Sequence, residues 1–106
     1  MKGFEDRNGF EAALQRDQEL AFRIKARRNR LFGLWAAEQL GVPAGEASED
    51  YAIAVAAADF EIPGDDDVVG KVRSDLAEKG ISLTEPELRE ELSRAAAEAQ
   101  SQLSQP

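Results

Sequence analysis

Apolar and small residues recur along most of this chain three and four positions apart, the spacing of one helix face after another. Phe10, Ala13, Leu14, Leu20, Ala21, Ile24, Leu31, Leu34 and Trp35 follow it first, with breaks at Asp17 and around Arg27 and Arg28. The stripe predicts a first helix over residues 10–40. Gly41 suits the left-handed backbone that closes a helix C-terminus, and Pro43 forbids continuation. Asn8-Gly9 is turn-prone, so residues 1–9 are expected to be loose.

A second helix fits residues 47–60, with Tyr51, Val55 and Ala58 in one row and Ile53, Ala57 and Phe60 beside it. Its alanines mark it for tight packing, and Pro63-Gly64 ends it. A third fits residues 66–79, its stripe being Val68, Val69, Val72 and Leu76, with Gly80 as its cap. Asp65, Asp66 and Asp67 open it, where capping and the helix dipole favour acids. The clearest start signal lies in "LTEPEL". Thr84 is the N-cap, Glu87 completes a capping box, and Leu83 and Leu88 stand where a hydrophobic staple needs them. Leu88, Leu92, Ala95, Ala99 and Leu103 continue that stripe, and the last residues should fray. With no repeat and no convincing strand, the prediction is an all-α protein: a small antiparallel four-helix bundle with a long first helix and a flexible N-terminal arm. Gly33, inside the apolar stretch around Trp35, marks a place where another helix or a partner comes close. Trp35 itself is expected in the core.

Composition narrows the chemistry. A chain of 106 residues supports one domain with a small core. Cysteine is absent, which suits a reducing compartment, and no apolar run approaches the length of a membrane span or forms a signal peptide, so a cytoplasmic location is expected. Histidine is absent too, removing the commonest general base and metal ligand. Nothing resembles a nucleophile elbow, a phosphate-binding loop or a dinucleotide fingerprint. No enzymatic activity, cofactor or metal is expected. The acids at Asp65, Asp66 and Asp67 lack the alternation, glycine and distal glutamate of a calcium loop.

Charge then redraws the first helix. The net charge is −8, yet residues 1–30 hold 8 Lys and Arg against 5 Asp and Glu, a balance of +3, leaving −11 for the remainder. Arg23, Lys25, Arg27, Arg28 and Arg30 fall within nine positions. Arg23, Arg27 and Arg30 share one helix face, Lys25 and Arg28 another. Such a row could hold phosphates, but the acidic body would repel a polyanion. A solvated or internally paired face is favoured over a nucleic-acid partner. Glu19 and Arg23, four apart in the favourable order, are one expected pair. A helix over residues 10–40 would span roughly 45 Å, about twice the reach of a 14-residue neighbour. The stripe from Phe10 to Leu20 therefore outruns the bundle, either as a frayed tail or as a segment that completes its folding only in a partner's groove.

Two long stretches, "ARRNRLFGLWAAEQLG" and "ADFEIPGDDDVVGKVRSDLAEKG", closely resemble the zeta-subunit family of alphaproteobacterial F-type ATP synthases. The likeness covers nearly the whole chain in the same order. It implies a four-helix bundle that inhibits ATP hydrolysis by the synthase's catalytic sector, through an N-terminal segment that becomes helical at a catalytic interface near the rotor. It further implies residues 1–19 as the inhibitory arm, residues 20–103 as the bundle and residues 104–106 as a tail. Phe4, Asp6, Arg7, Phe10, Glu11, Leu14, Asp17 and Glu19 would meet the partner, and Arg23 to Arg30 would form the arm–body junction, its charge free to pair with acids on the enzyme. The free form is expected to be a monomer, peripheral at the inner face of the plasma membrane when bound to the synthase. Relatives usually read F-x-D-R-E-x-A-F-E near the start, whereas here the spacer between Arg7 and Phe10 is one residue shorter. In a continuous helix that rotates Phe4 and Arg7 by roughly 100° relative to Phe10. An adaptor or assembly protein that binds the synthase but inhibits weakly, and a small nucleotide- or anion-binding bundle, are the alternative readings.

Overall fold

Short connections built on glycine join four α-helices: α1 (Lys2–Gln39), α2 (Glu46–Ala58), α3 (Asp66–Glu78) and α4 (Glu85–Ser104). The computed structural model describes residues 2–59 and 65–104, with side chains described from residue 15 onward within those spans. No strand occurs among the described residues. α1 is the axis of the bundle. It packs against all three other helices, most extensively α2 and α4, and α3 closes the remaining side.

The helix ends follow local chemistry. At the end of α1 the Val42 N–H reaches the Ala37 carbonyl at 2.9 Å and the Gly41 N–H reaches Glu38 at 3.1 Å, with Gly41 at φ +77°. Gly80, at φ +78°, closes α3 in the same way, with the Ile81 N–H donating to Leu76. Both are Schellman closures, which require a residue at ease in left-handed backbone. At α4 the Glu87 N–H donates to Thr84 Oγ1 (3.3 Å) and the Thr84 N–H donates to Glu87 Oε1 (3.4 Å), the reciprocal capping box expected from "LTEPEL". Leu83 packs on the core beside the buried Leu88. Asp65, by contrast, makes no side-chain cap to α3, because its carboxylate is held elsewhere.

The core holds the whole stripe of α3 (Val68, Val69, Val72, Leu76) and, from that of α4, Leu88, Leu92, Ala95 and Ala99, with Leu103 only half-buried. Three expectations shift. From α1 the fully enclosed residues are Phe32, Ala36 and Ala37, while Leu31 and Trp35 are only partly buried against the core. The Trp35 ring stacks on Phe32 at 5.8 Å between centroids. From α2 the inward face is Ser48, Ala52 and Val55; Ile53 and Ala57 point to solvent, and Phe60 lies outside the described residues. The third shift is the start of α1, at Lys2 rather than Phe10, so the helix passes through Asn8 and Gly9. A helical glycine costs only about 1 kcal/mol relative to alanine, and the flanking residues are mostly good helix formers.

Gly33 is the close approach that the sequence marked. A Cβ there would lie 2.7 Å from the Ala52 Cα and 3.3 Å from the Val55 Cβ, so α1 and α2 meet almost backbone to backbone. That contact fixes which face of α1 turns to the core, and therefore where its five basic side chains end up.

Candidate functional site

The basic segment of α1 divides into cations neutralised within the fold and cations that are not. Lys25 Nζ lies 3.2 Å from Asp59 Oδ2, at the C-terminus of α2. Arg28 reaches Asp65 Oδ1 at 3.0 Å, at the start of α3, and also donates to Asn29 Oδ1. Asn29, only 3% exposed, donates from Nδ2 to Asp59 Oδ2 at 3.1 Å. Lys25, Arg28 and Asn29 thus tie α1 to both ends of the α2–α3 connection. Arg30 forms a two-point pair with Glu49, with Nε 3.1 Å from Oε2. Each of these is an intramolecular ion pair, and the buried asparagine that links two of them had no signature in the pattern of charges.

Arg23 and Arg27 are placed differently. Arg23 is exposed and has no carboxylate partner among the described residues; the Glu19–Arg23 pair expected from spacing does not form, as is common where water competes for both ends. Arg27 donates to Gln102 Oε1 at 2.8 Å, a neutral amide that orients the guanidinium without cancelling its charge. Immediately before Arg23 in sequence, and lining one hollow with both arginines, Phe22 is 64% exposed, and Leu20 two residues earlier is 39% exposed. From residue 15 to residue 23 every side chain of α1 is exposed, and burial begins at Ile24.

Of the residues expected to meet a partner, Asp17 and Glu19 lie on this exposed stretch. The side chains of Phe4, Asp6, Arg7, Phe10, Glu11 and Leu14 lie outside the described residues, although their backbone belongs to α1. Phe22 was passed over by the stripe because it sits off the apolar row of α1; its exposure, not its spacing, singles it out.

Other concavities offer less. A depression of about 280 Å³ between α1, α3 and α4 is lined by Arg28, Arg89, Asp65 and Ser93 and has the makings of an anion site. Both guanidiniums there are already engaged, Arg28 by Asp65 and Arg89 by Asp66 and Glu85. The hydrogen bonds that Arg89 donates to Glu85 and then to Asp66 raise its pKa above the ordinary arginine value. Tyr51 joins α2 to α3 through a 2.8 Å hydrogen bond to Asp75, which also takes Lys71 at 2.9 Å, and the Lys71 ammonium sits 5.6 Å from the Tyr51 ring centre. Burial, then the hydrogen bond and charge of Asp75, push the Tyr51 phenol well above its usual 10.0. These are ties between helices. No group of three or more candidate metal ligands occurs among the described residues, and no helix among them is long and apolar enough to cross a membrane.

A four-helix scaffold whose longest helix runs out beyond its neighbours, with its remaining polar clusters spent on internal pairing, has the build of a regulatory or docking protein. The chain belongs to the family described as ATPase inhibitor subunit zeta, which matches residues 1–102. A search of curated proteins gives no match. Membership of an inhibitor-subunit family assigns the chain a regulatory, inhibitory role.

Proposed function

We propose that this protein inhibits ATP hydrolysis by the catalytic sector of an F-type ATP synthase, with residues 1–19 as the element that inserts at a catalytic interface and the bundle as its anchor. One observation supports the division of labour above the rest: α1 is a single helix of 38 residues, yet among its described side chains those of residues 15–23 are all exposed and burial begins at Ile24. At about 1.5 Å per residue, the part before Ile24 reaches roughly 30 Å beyond the body. That is long enough to enter a groove that the bundle itself would not fit. Among the described residues every buried apolar side chain lies at Phe32 or later, so the stability of the anchor and the action of the arm would rest on different residues. The chemistry asked of the arm is occupancy, since a helix that wedges between moving parts needs no nucleophile, base or metal.

The test is a titration of ATP hydrolysis by the catalytic sector with the full-length protein and with a version beginning at Leu20. Inhibition by the first alone, with both folded, is the expected result. Equal inhibition by both would overturn the assignment of the arm. Binding without inhibition by the full-length protein would make it an adaptor.

A further inference from the structure

The exposed stretch of α1 carries more than the start of an arm. Phe22, Arg23, Ala26, Arg27, Arg30 and Leu103 line a shallow hollow of about 300 Å³ between α1 and the last turn of α4. Phe22 also borders two further hollows, one toward residues 15–19 and one toward Asn29 and Asp59, so it stands as an apolar ridge among them. The floor is apolar, from Phe22, Ala26 and Leu103. Its rim holds the two arginines of the basic segment that find no carboxylate among the described residues, one of them oriented in advance by Gln102. Lys25, Arg28 and Arg30 are neutralised by Asp59, Asp65 and Glu49. Internal pairing has therefore left an uncompensated positive strip next to the most exposed aromatic side chain described, in a protein whose net charge is −8.

We propose that Phe22, Arg23 and Arg27 form a second docking site, separate from the inserting arm, for an acidic segment on the catalytic sector that carries one apolar side chain to cover Phe22. The inference rests on the proposed function for the identity of its partner. Charge complementarity sets the chemistry of the occupant. Anionic groups neutralise both guanidiniums while leaving the internal pairs of Lys25, Arg28 and Arg30 intact, on a protein partner the carboxylates of Asp and Glu supply them, and the rest of this acidic chain would repel an acidic partner anywhere else. Phe22 supplies the desolvated centre around which such charge pairs count most, as aromatic and arginine anchors do at other interfaces. Two sites on one helix, the arm and this patch, would also raise the effective concentration of the arm at its groove once the patch is engaged.

The full-length protein tests this, as Phe22→Ala, as the double variant Arg23→Glu/Arg27→Glu, and as the matched charge control Arg73→Glu/Arg94→Glu on exposed positions of α3 and α4. Helical circular dichroism and Trp35 fluorescence confirm that each folds, which the exposure of the altered side chains favours. Inhibition of ATP hydrolysis is titrated at low and high ionic strength. The Arg23/Arg27 variant should need about tenfold more protein for half-inhibition at low salt, a gap that closes as salt rises, while the control stays within about twofold of the wild type. Phe22→Ala should weaken half-inhibition roughly fivefold at either salt, as the loss of a buried apolar contact does. All should reach the wild-type plateau at saturation. Half-inhibition unchanged in the Arg23/Arg27 variant, or weakened equally in the control, overturns the docking site, and a lowered plateau would place these residues in the inserting element instead. A wild type that neither binds nor inhibits the sector would bring down the proposed function, and this partner with it.

Discussion

Residues 15–23 and 24–39 of α1 belong to one helix and live under different rules. In the second part Asn29, Phe32, Gly33, Ala36 and Ala37 are enclosed by α2, α3 and α4, and Lys25, Arg28, Asn29 and Arg30 are paired with acids outside α1. In the first part nothing is enclosed. An isolated stretch of helix is marginal in water, because most helical stability in proteins comes from packing one face. The covered part is therefore helical because the fold requires it, and the exposed part holds its conformation by propensity and by continuity with its neighbour. The second kind leaves a whole face of helix open to a partner. The contrast gives three predictions of decreasing size.

The largest effect belongs to the centre of the covered part. Phe32 is fully buried and stacks on Trp35, so Phe32→Ala should cost about 3–5 kcal/mol, a large share of the ~5–15 kcal/mol that holds a typical domain. Urea unfolding followed by Trp35 fluorescence reads it directly. A loss under about 1 kcal/mol would mean that α1 is not the axis of the bundle.

That side chain also shows where the sequence was legible and where it was not. The faces of α3 and α4 could be read residue by residue, because Val68, Val69, Val72 and Leu76 stand among charged positions, and so do Leu88 and Leu92. The closures at Gly41 and Gly80 and the box at Thr84 were equally legible, since each is decided by neighbours in the chain. The stretch from Leu31 to Ala37 has no polar residue at all, so spacing could not say that Phe32 rather than Leu31 or Leu34 would be enclosed. The backbone contact at Gly33 decided it. α2 failed for the related reason that its alanines give no strong face, which let Ile53 turn outward. The candidate surface was half legible. The cluster of five cations is plain in the sequence, but Asp59, Asp65 and Glu49, which neutralise three of them, lie tens of residues away. Only the folded chain sorts the spent charges from the free ones.

A middle-sized effect comes from the tie between α2 and α3. The folded protein holds the Tyr51 proton well beyond the ordinary 10.0, chiefly through burial and then through Asp75. Above pH 10 the unfolded chain gives up that proton and the folded one keeps it, so stability is fully present below the unfolded value and falls as pH rises past it. Tyr51→Phe removes this dependence at a cost of about 1 kcal/mol at neutral pH, the hydrogen bond to Asp75 being lost. Urea midpoints of both proteins, measured at neutral pH and again above the ordinary phenol value, check the sign. Tyr51 is the only tyrosine, so phenolate absorbance reports its titration alone.

The smallest expected effect is the most telling. Leu20→Pro removes one backbone hydrogen bond and sets the ring against the carbonyl of Arg16, which costs about 3 kcal/mol inside a helix that the fold depends on. If the exposed part is only continuous with the bundle and not coupled to it, that cost falls on residues 2–20 alone. Helical circular dichroism should then drop while the unfolding free energy of the bundle, from urea titration, changes by less than about 0.5 kcal/mol. If the full cost appears in the bundle instead, the two parts of α1 unfold as one unit. The exposed helix would then be pre-formed for its partner, and binding would cost it far less ordering than a helix that must fold on contact. The bundle's response to one proline outside it therefore decides whether the exposed helix meets a partner as a rod or folds on contact.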